Sequence, residues 1–221
     1  MKRSALPVVL AGTVWCVWAG LARPAPQPSE APVDWEFQFT FKDLQGITVE
    51  VPGEREPRLF WYLSYQVTNH SDKDEFFVPR FDLYTHTGQL IHAGDGVPAY
   101  VFGHIKKLLN DPLLRDVSGM IGKLLQGEDN AKRGLALWPD FDPAAGVVKI
   151  FVTGLSGETV RIKLPKAVRV AEMGEKGELK EVEKDELVLA KTLQLTYSIP
   201  GQASARAHVA PKLTDRKWIM R

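Results

Sequence analysis

Between residues 59 and 67 every odd position is apolar or aromatic, namely Leu59, Trp61, Leu63, Tyr65 and Val67, and Ser64, Gln66 and Thr68 fall among them. A period of two is the signature of a strand with one face buried. A polar run rich in turn formers follows over 69–75, after which Phe77, Phe81 and Leu83 resume an odd-numbered apolar face. The pattern predicts a long antiparallel pair as the spine of a β-sheet, with Trp61, Leu63, Tyr65, Phe81 and Leu83 buried on one face.

The same period recurs on both sides. Trp35, Phe37, Phe39 and Phe41 alternate with Glu36, Gln38, Thr40 and Lys42, and Ile47, Val49 and Val51 alternate with Thr48 and Glu50, which predicts two strands at a sheet edge or corner. The Thr87-Gly88 turn before Leu90-Ile91 predicts a hairpin onto 83–85. The β-branched run VVKIFVT at 147–153, the turn GLSGE at 154–158 and the alternating Val160, Ile162 and Leu164 predict a second hairpin. Residues 174–185 read as a charged, solvated excursion. Leu187, Leu189, Leu193, Leu195, Tyr197 and Ile199 share one parity with Lys191 as the exception, and 217–221 read as a short last strand docked on a sheet.

From Val97 the period changes. Val101, Phe102, Ile105, Leu108 and Leu109 have helical spacing, and Leu113, Leu114, Val117, Met120, Ile121, Leu124 and Leu125 repeat it within an arc of roughly 140°. Asp111 suits an N-cap, Pro112 a first helical position and Gly127 a left-handed end. Two amphipathic helices are therefore expected at 97–110 and 111–126, with Ile121 near the middle of the second apolar arc. They are expected to cover a sheet face or an open end, and to offer a partner surface. The fold class so predicted is mainly β: an immunoglobulin-like antiparallel β-sandwich with an inserted pair of amphipathic helices at about 97–126.

Lys2 and Arg3, the apolar run over 5–21 and the small residues of Gly20-Leu21-Ala22 have the three parts of a secretory signal peptide, assigned to 1–22. Trp15, directly before Cys16, argues against lipoprotein processing. Residues 23–33, opening RPAPQPSEAP, read as a proline-rich linker, and 34–221 as a single domain. Cleavage near Ala22 removes the only cysteine, so no disulfide or thiolate is expected in an extracytoplasmic mature chain. Losing Lys2 and Arg3 also takes the net charge from +1 to −1. A near-neutral chain gives no electrostatic case for nucleic acid, and no stable membrane insertion is expected after cleavage.

The segment VTNHSDKD at 67–74 resembles a turn found in many bacterial extracytoplasmic immunoglobulin-like domains, including telokin-like domains of unknown function. Together with LLQGEDNAKRG at 124–134 and the closing WIMR, it is also similar to uncharacterised secreted proteins of planctomycete type. The resemblance implies an envelope location and supplies no catalytic or ligand residue.

Candidate chemistry is sparse. His86 and His92, with Asp82 and Asp95, are the nearest set of metal ligands, but a two-residue turn would point the two imidazoles to opposite faces. His70, His104 and His208 are isolated. Asp140, Asp142, Glu128, Asp129 and Asn130 offer calcium oxygens without matching an EF-hand spacing. Ser156 lacks the spaced glycines of a nucleophile elbow, and His86 stands where an aspartic-protease motif would need aspartate. Asn69-His70-Ser71 is a formal glycosylation sequon. Hence no catalytic, cofactor-binding or metal residue is assigned and no cofactor is expected. The function expected is that of an exported non-enzymatic envelope protein, a structural or protein-interaction module with an unidentified envelope protein as partner. The alternative is a carbohydrate or small-ligand binding domain, if the Trp35–Phe41 and Phe60–Tyr65 aromatic stripes prove exposed.

Overall fold

The computed structural model describes residues 25–173, 178–199, 206 and 208–221. The assigned signal peptide and its cleavage point lie outside the described residues. In chain order the first strands are β1 (Gln38–Phe41), β2 (Gln45–Val49), β3 (Arg58–Thr68), β4 (Glu75–Phe77), β5 (Arg80–Thr85) and β6 (Leu90–His92). Helix α1 (Ala99–Leu108), β7 (Arg115–Asp116), the single turn α2 (Val117–Met120) and β8 (Gly122–Leu124) follow. The rest is β9 (Lys132–Pro139), β10 (Val147–Thr153), β11 (Thr159–Met173), β12 (Leu179–Ser198) and β13 (Lys212–Met220).

The chain is mainly β, with curled and mostly antiparallel sheets. A five-stranded sheet runs β1-β3-β9-β7 with β2 also on β3, and a six-stranded sheet runs β11-β12-β10-β5-β6 with β13 also on β12. Among the described strands, β7 alone is parallel to its neighbour, β9. Trp61, Leu63, Tyr65 and Val67 of β3 meet Phe81, Leu83, Val148, Ile150, Val152, Leu193, Leu195 and Tyr197 of the other sheet in one core. The rings of Tyr65 and Phe81 lie 4.6 Å apart across it.

Parity thus identified the buried residues but not the strand partners. β3 and β5 do not pair; they stand in different sheets whose inner faces meet. The reason lies in the polar turn. The Asn69 amide donates to the carbonyls of Lys73 (2.8 Å) and Leu124 (3.0 Å), while its oxygen accepts the N–H and hydroxyl of Ser71. Those bonds tie the turn to β8, which pairs with β4, and the chain crosses to the second sheet instead of folding back on β3. The even positions Phe60 and Tyr62 are buried too, in a second core with Leu135, Leu137 and the Val101 and Ile105 face of α1. β3 is therefore covered on both faces, which explains its almost continuous apolar character.

The helix expected at 97–110 forms over Ala99–Leu108, but the one expected at 111–126 does not. There, β7 pairs with β9 and β8 pairs with β4, leaving only the turn of α2 between them. Leu114, Met120 and Leu124 are buried, whereas Leu113 (62 % exposed), Ile121 (50 %) and Leu125 (43 %) are not. Two glycines oppose a helix here. Gly122 has φ +134°, far from helical values, and the Asp116 carboxylate caps the Gly119 N–H at 2.6 Å. Two open sheet edges supply the backbone partners that a helix would otherwise have to find within itself.

The second expected hairpin is also rearranged. β10 lies between β5 and β12, and it is β12 that pairs with β11. β12 is 20 residues long: its second half belongs to the six-stranded sheet, and its first half runs outward with β11 as a two-stranded ribbon. Residues 179–185, read from sequence as an excursion, are extended strand within that ribbon, and from 180 onward they are exposed as expected. The segment at 217–221 does dock, as the end of the nine-residue β13.

Leu63→Ala should cost about 2–5 kcal/mol, since the site is fully buried between sheets. Ile121→Asp should stay within about 0.5 kcal/mol of the parent, because the side chain is half exposed. Urea midpoints of the two variants check both; equal midpoints would contradict the assignment of the core.

Candidate functional site

The six-stranded sheet carries two buried ionic clusters, one at Asp82 of β5 and one at Lys191 of β12. The first is centred on Asp82, which sits opposite His92 in the β5–β6 pair. One carboxylate oxygen lies 2.7 Å from His92 Nδ1; the other accepts from Arg221 Nη1 at 2.7 Å and lies 3.3 Å from Arg80 Nε. The Arg221 guanidinium also covers the Phe151 ring at 4.3 Å. Burial pushes the Asp82 carboxyl up, but the hydrogen bonds from Arg221 and His92 and the charge of Arg80 outweigh it and hold the group below its ordinary value. Three partners, from β5, β6 and the residue after β13, thus engage both oxygens of this carboxylate.

The pairing also corrects the geometry expected of the two histidines. A three-residue loop over 86–88, closed by the bond from Thr85 N–H to Gln89 O (2.9 Å), shifts the register so that His92 faces Asp82 rather than Leu83. The imidazoles therefore share a parity. They still do not converge: His86 Nδ1 accepts the Val147 N–H at 3.4 Å, and among the described residues no group of three His, Cys, Asp or Glu side chains is placed to hold a metal.

The second cluster surrounds Lys191, where β12 leaves the sheet. Its ammonium is buried and lies 2.9 Å from Glu36, 3.2 Å from Glu158 and 3.2 Å from the Ser29 carbonyl, with the Trp218 ring 5.3 Å away. Glu158 in turn accepts the Ser29 N–H at 2.8 Å. Burial alone would lower the Lys191 pKa, but hydrogen bonds to Glu36 and Glu158 raise it above the ordinary value; the Ser29 N–H is the main group lowering Glu158. The proline-rich segment at 23–33 is therefore pinned at Ser29 and is no detached linker there.

Several of the remaining candidates are occupied structurally. Asp140 accepts the Trp61 indole N–H at 2.8 Å and lies 3.8 Å from the buried Arg206, which donates to the carbonyls of Phe141 and Asp142. Asp142 caps the Ala144 N–H, Glu128 lies 3.3 Å from His70, and Asn130 donates to Gln126 O. The Ser156 hydroxyl accepts the Glu158 N–H at 3.1 Å, the bond expected of a turn. Phe37, Phe39, Trp61 and Tyr65 are buried, so these stripes are core and not a platform for sugar. Sequence reasoning marked Asp82 and His92 but missed Arg221, Arg206 and the Lys191 cluster with Glu36, Glu158 and Ser29; the only signal for Lys191 was its break in an apolar parity.

Asp82 has a lowered pKa, so its stabilising contribution is complete above the ordinary value of 3.8 and is lost as pH falls through the lower folded value. Asp82→Asn should cost about 3 kcal/mol at neutral pH. The gap between parent and variant should close below that ordinary value in denaturation curves recorded against pH; a gap independent of pH would contradict the charge assignment. No family model matches the chain, and no curated protein or solved structure is significantly similar to it.

Proposed function

We propose that this chain is an exported, non-enzymatic protein-interaction module of a bacterial envelope, an immunoglobulin-like sandwich whose β11–β12 ribbon is the element presented to the partner. The carrying observation is the ribbon. It holds eleven paired positions from Thr159↔Ala190 to Met173↔Leu179, running outward from the six-stranded sheet. An isolated two-stranded ribbon is marginal in water. Yet this one keeps Val168, Val182, Leu187 and Val188 exposed.

Its apolar side chains also change face. Near the body, Ile162 pairs with Leu187 and Val160 with Leu189; farther out, Val170 pairs with Val182. Along the uninterrupted β12, 187 and 189 point to one side and 182 to the other. The irregularity in β11 between Lys163 and Val168 lets it follow the switch. A partner that grips both faces would meet an apolar patch on each, set among charged pairs such as Arg169 with Glu183 (3.3 Å). The charged start, apolar run and proline-rich exit at 1–33 support export, and the turn at 67–74 supports the immunoglobulin-like reading through its resemblance. The envelope as location rests on both.

A photo-crosslinking side chain placed at Val182 or Val188 in exporting cells should yield a discrete adduct with another protein, and one at exposed Glu50 should not. Absence of adducts from both ribbon positions would reject the reading.

A further inference from the structure

β7, β8 and β9 enclose a cavity of about 280 Å³ that holds an excess of positive charge. Arg115 stands opposite Gly134 in the β7–β9 pair, and Lys132 lies two residues before Gly134, so both project from one face of the sheet. Lys123 of β8 and Arg133 of β9 also line the space, against a single carboxylate, Asp129. Two of the four cations are committed elsewhere: Arg133 to Asp111 at 2.8 Å, and Lys123 to Asp74 at 3.3 Å. Among the described residues, Arg115 and Lys132 have no ion-pair partner. Burial lowers the Lys132 pKa, and the neighbouring Arg115 charge adds to it.

The same cavity has an apolar wall. Leu113 and Leu125 line it although both are largely open to solvent. We infer that the cavity is an anion site for a small phosphate-bearing molecule with a short apolar group, the phosphate lying between Arg115 and Lys132 and the apolar group on Leu113 and Leu125. A guanidinium fork can take two phosphate oxygens and an ammonium a third. A phosphate dianion also matches the two uncommitted cations, which a carboxylate would only half neutralise. Lining of this size admits the headgroup and a short chain and leaves any long tail outside. The site is independent of the ribbon and would survive its failure as a partner arm.

Calorimetric titration of the purified protein with hexyl phosphate, inorganic phosphate and hexanoate tests the assignment. Hexyl phosphate should bind saturably and more tightly than either of the others. Arg115→Gln and Lys132→Gln should each weaken it by about tenfold or more, and Asp129→Asn should tighten it, with melting temperatures unchanged. Vesicles of phosphatidylcholine with phosphatidic acid distinguish the sources: capture of these vesicles as well as hexyl phosphate supports a lipid headgroup as ligand, and binding of hexyl phosphate alone supports a soluble ester. Loss of saturable hexyl phosphate binding, equal binding of hexanoate, indifference to both Gln variants, or vesicle capture without the soluble ligand would each overturn the inference.

Discussion

One strand has to satisfy two environments. β12 contributes Leu193, Leu195 and Tyr197 to the core through its second half, while its first half runs through solvent with β11 as sole partner. The transition falls at Lys191, and a buried ammonium would be prohibitive without compensation. Glu36 and Glu158 supply the charge and the Ser29 carbonyl a further acceptor. Three distant parts of the chain are thereby fixed at one point: the segment before the first strand, the turn leading into β11, and the strand that leaves the body. This junction lies at the point where the ribbon leaves the packed part of the sheet.

The Asp82 cluster does similar work on the same sheet, through residues from β5, β6 and the chain after β13. Both clusters join distant segments of the chain through buried charge: Asp82 gathers His92, Arg80 and Arg221, and Lys191 gathers Glu36, Glu158 and Ser29. The sequence as a whole is near balance, with 28 basic and 27 acidic residues.

How much of this could be read from sequence follows from the range of each interaction. Period-two alternation is local, so the burial of Trp61, Leu63, Tyr65, Phe81 and Leu83 was legible in the order of residues alone. Which strand lies beside which is decided by loops and distant edges, so the β3–β5 and β10–β11 pairings were misassigned. The helix expected at 111–126 failed for a different reason. Segments of two or three residues separated by turns have no period of their own, and seven apolar side chains scattered over them happened to match 3.6. Two glycines in the stretch were the local counter-signal. The ionic clusters join residues as far apart as Asp82 and Arg221 or Ser29 and Lys191, and no spacing rule reaches across such separations.

Asn69 carries a consequence outside the fold itself. Its side chain is fully buried and all of its bonds are directed inward, to Lys73, Ser71 and Leu124. It is also the acceptor of the sequon Asn69-His70-Ser71. A glycan could reach that amide only before the chain folds, and once attached it would prevent the turn from closing on β8. Secretion through a eukaryotic host would therefore set sugar transfer and folding in competition at this residue, so that glycosylated product would accumulate as misfolded chain while native protein left the cell unmodified.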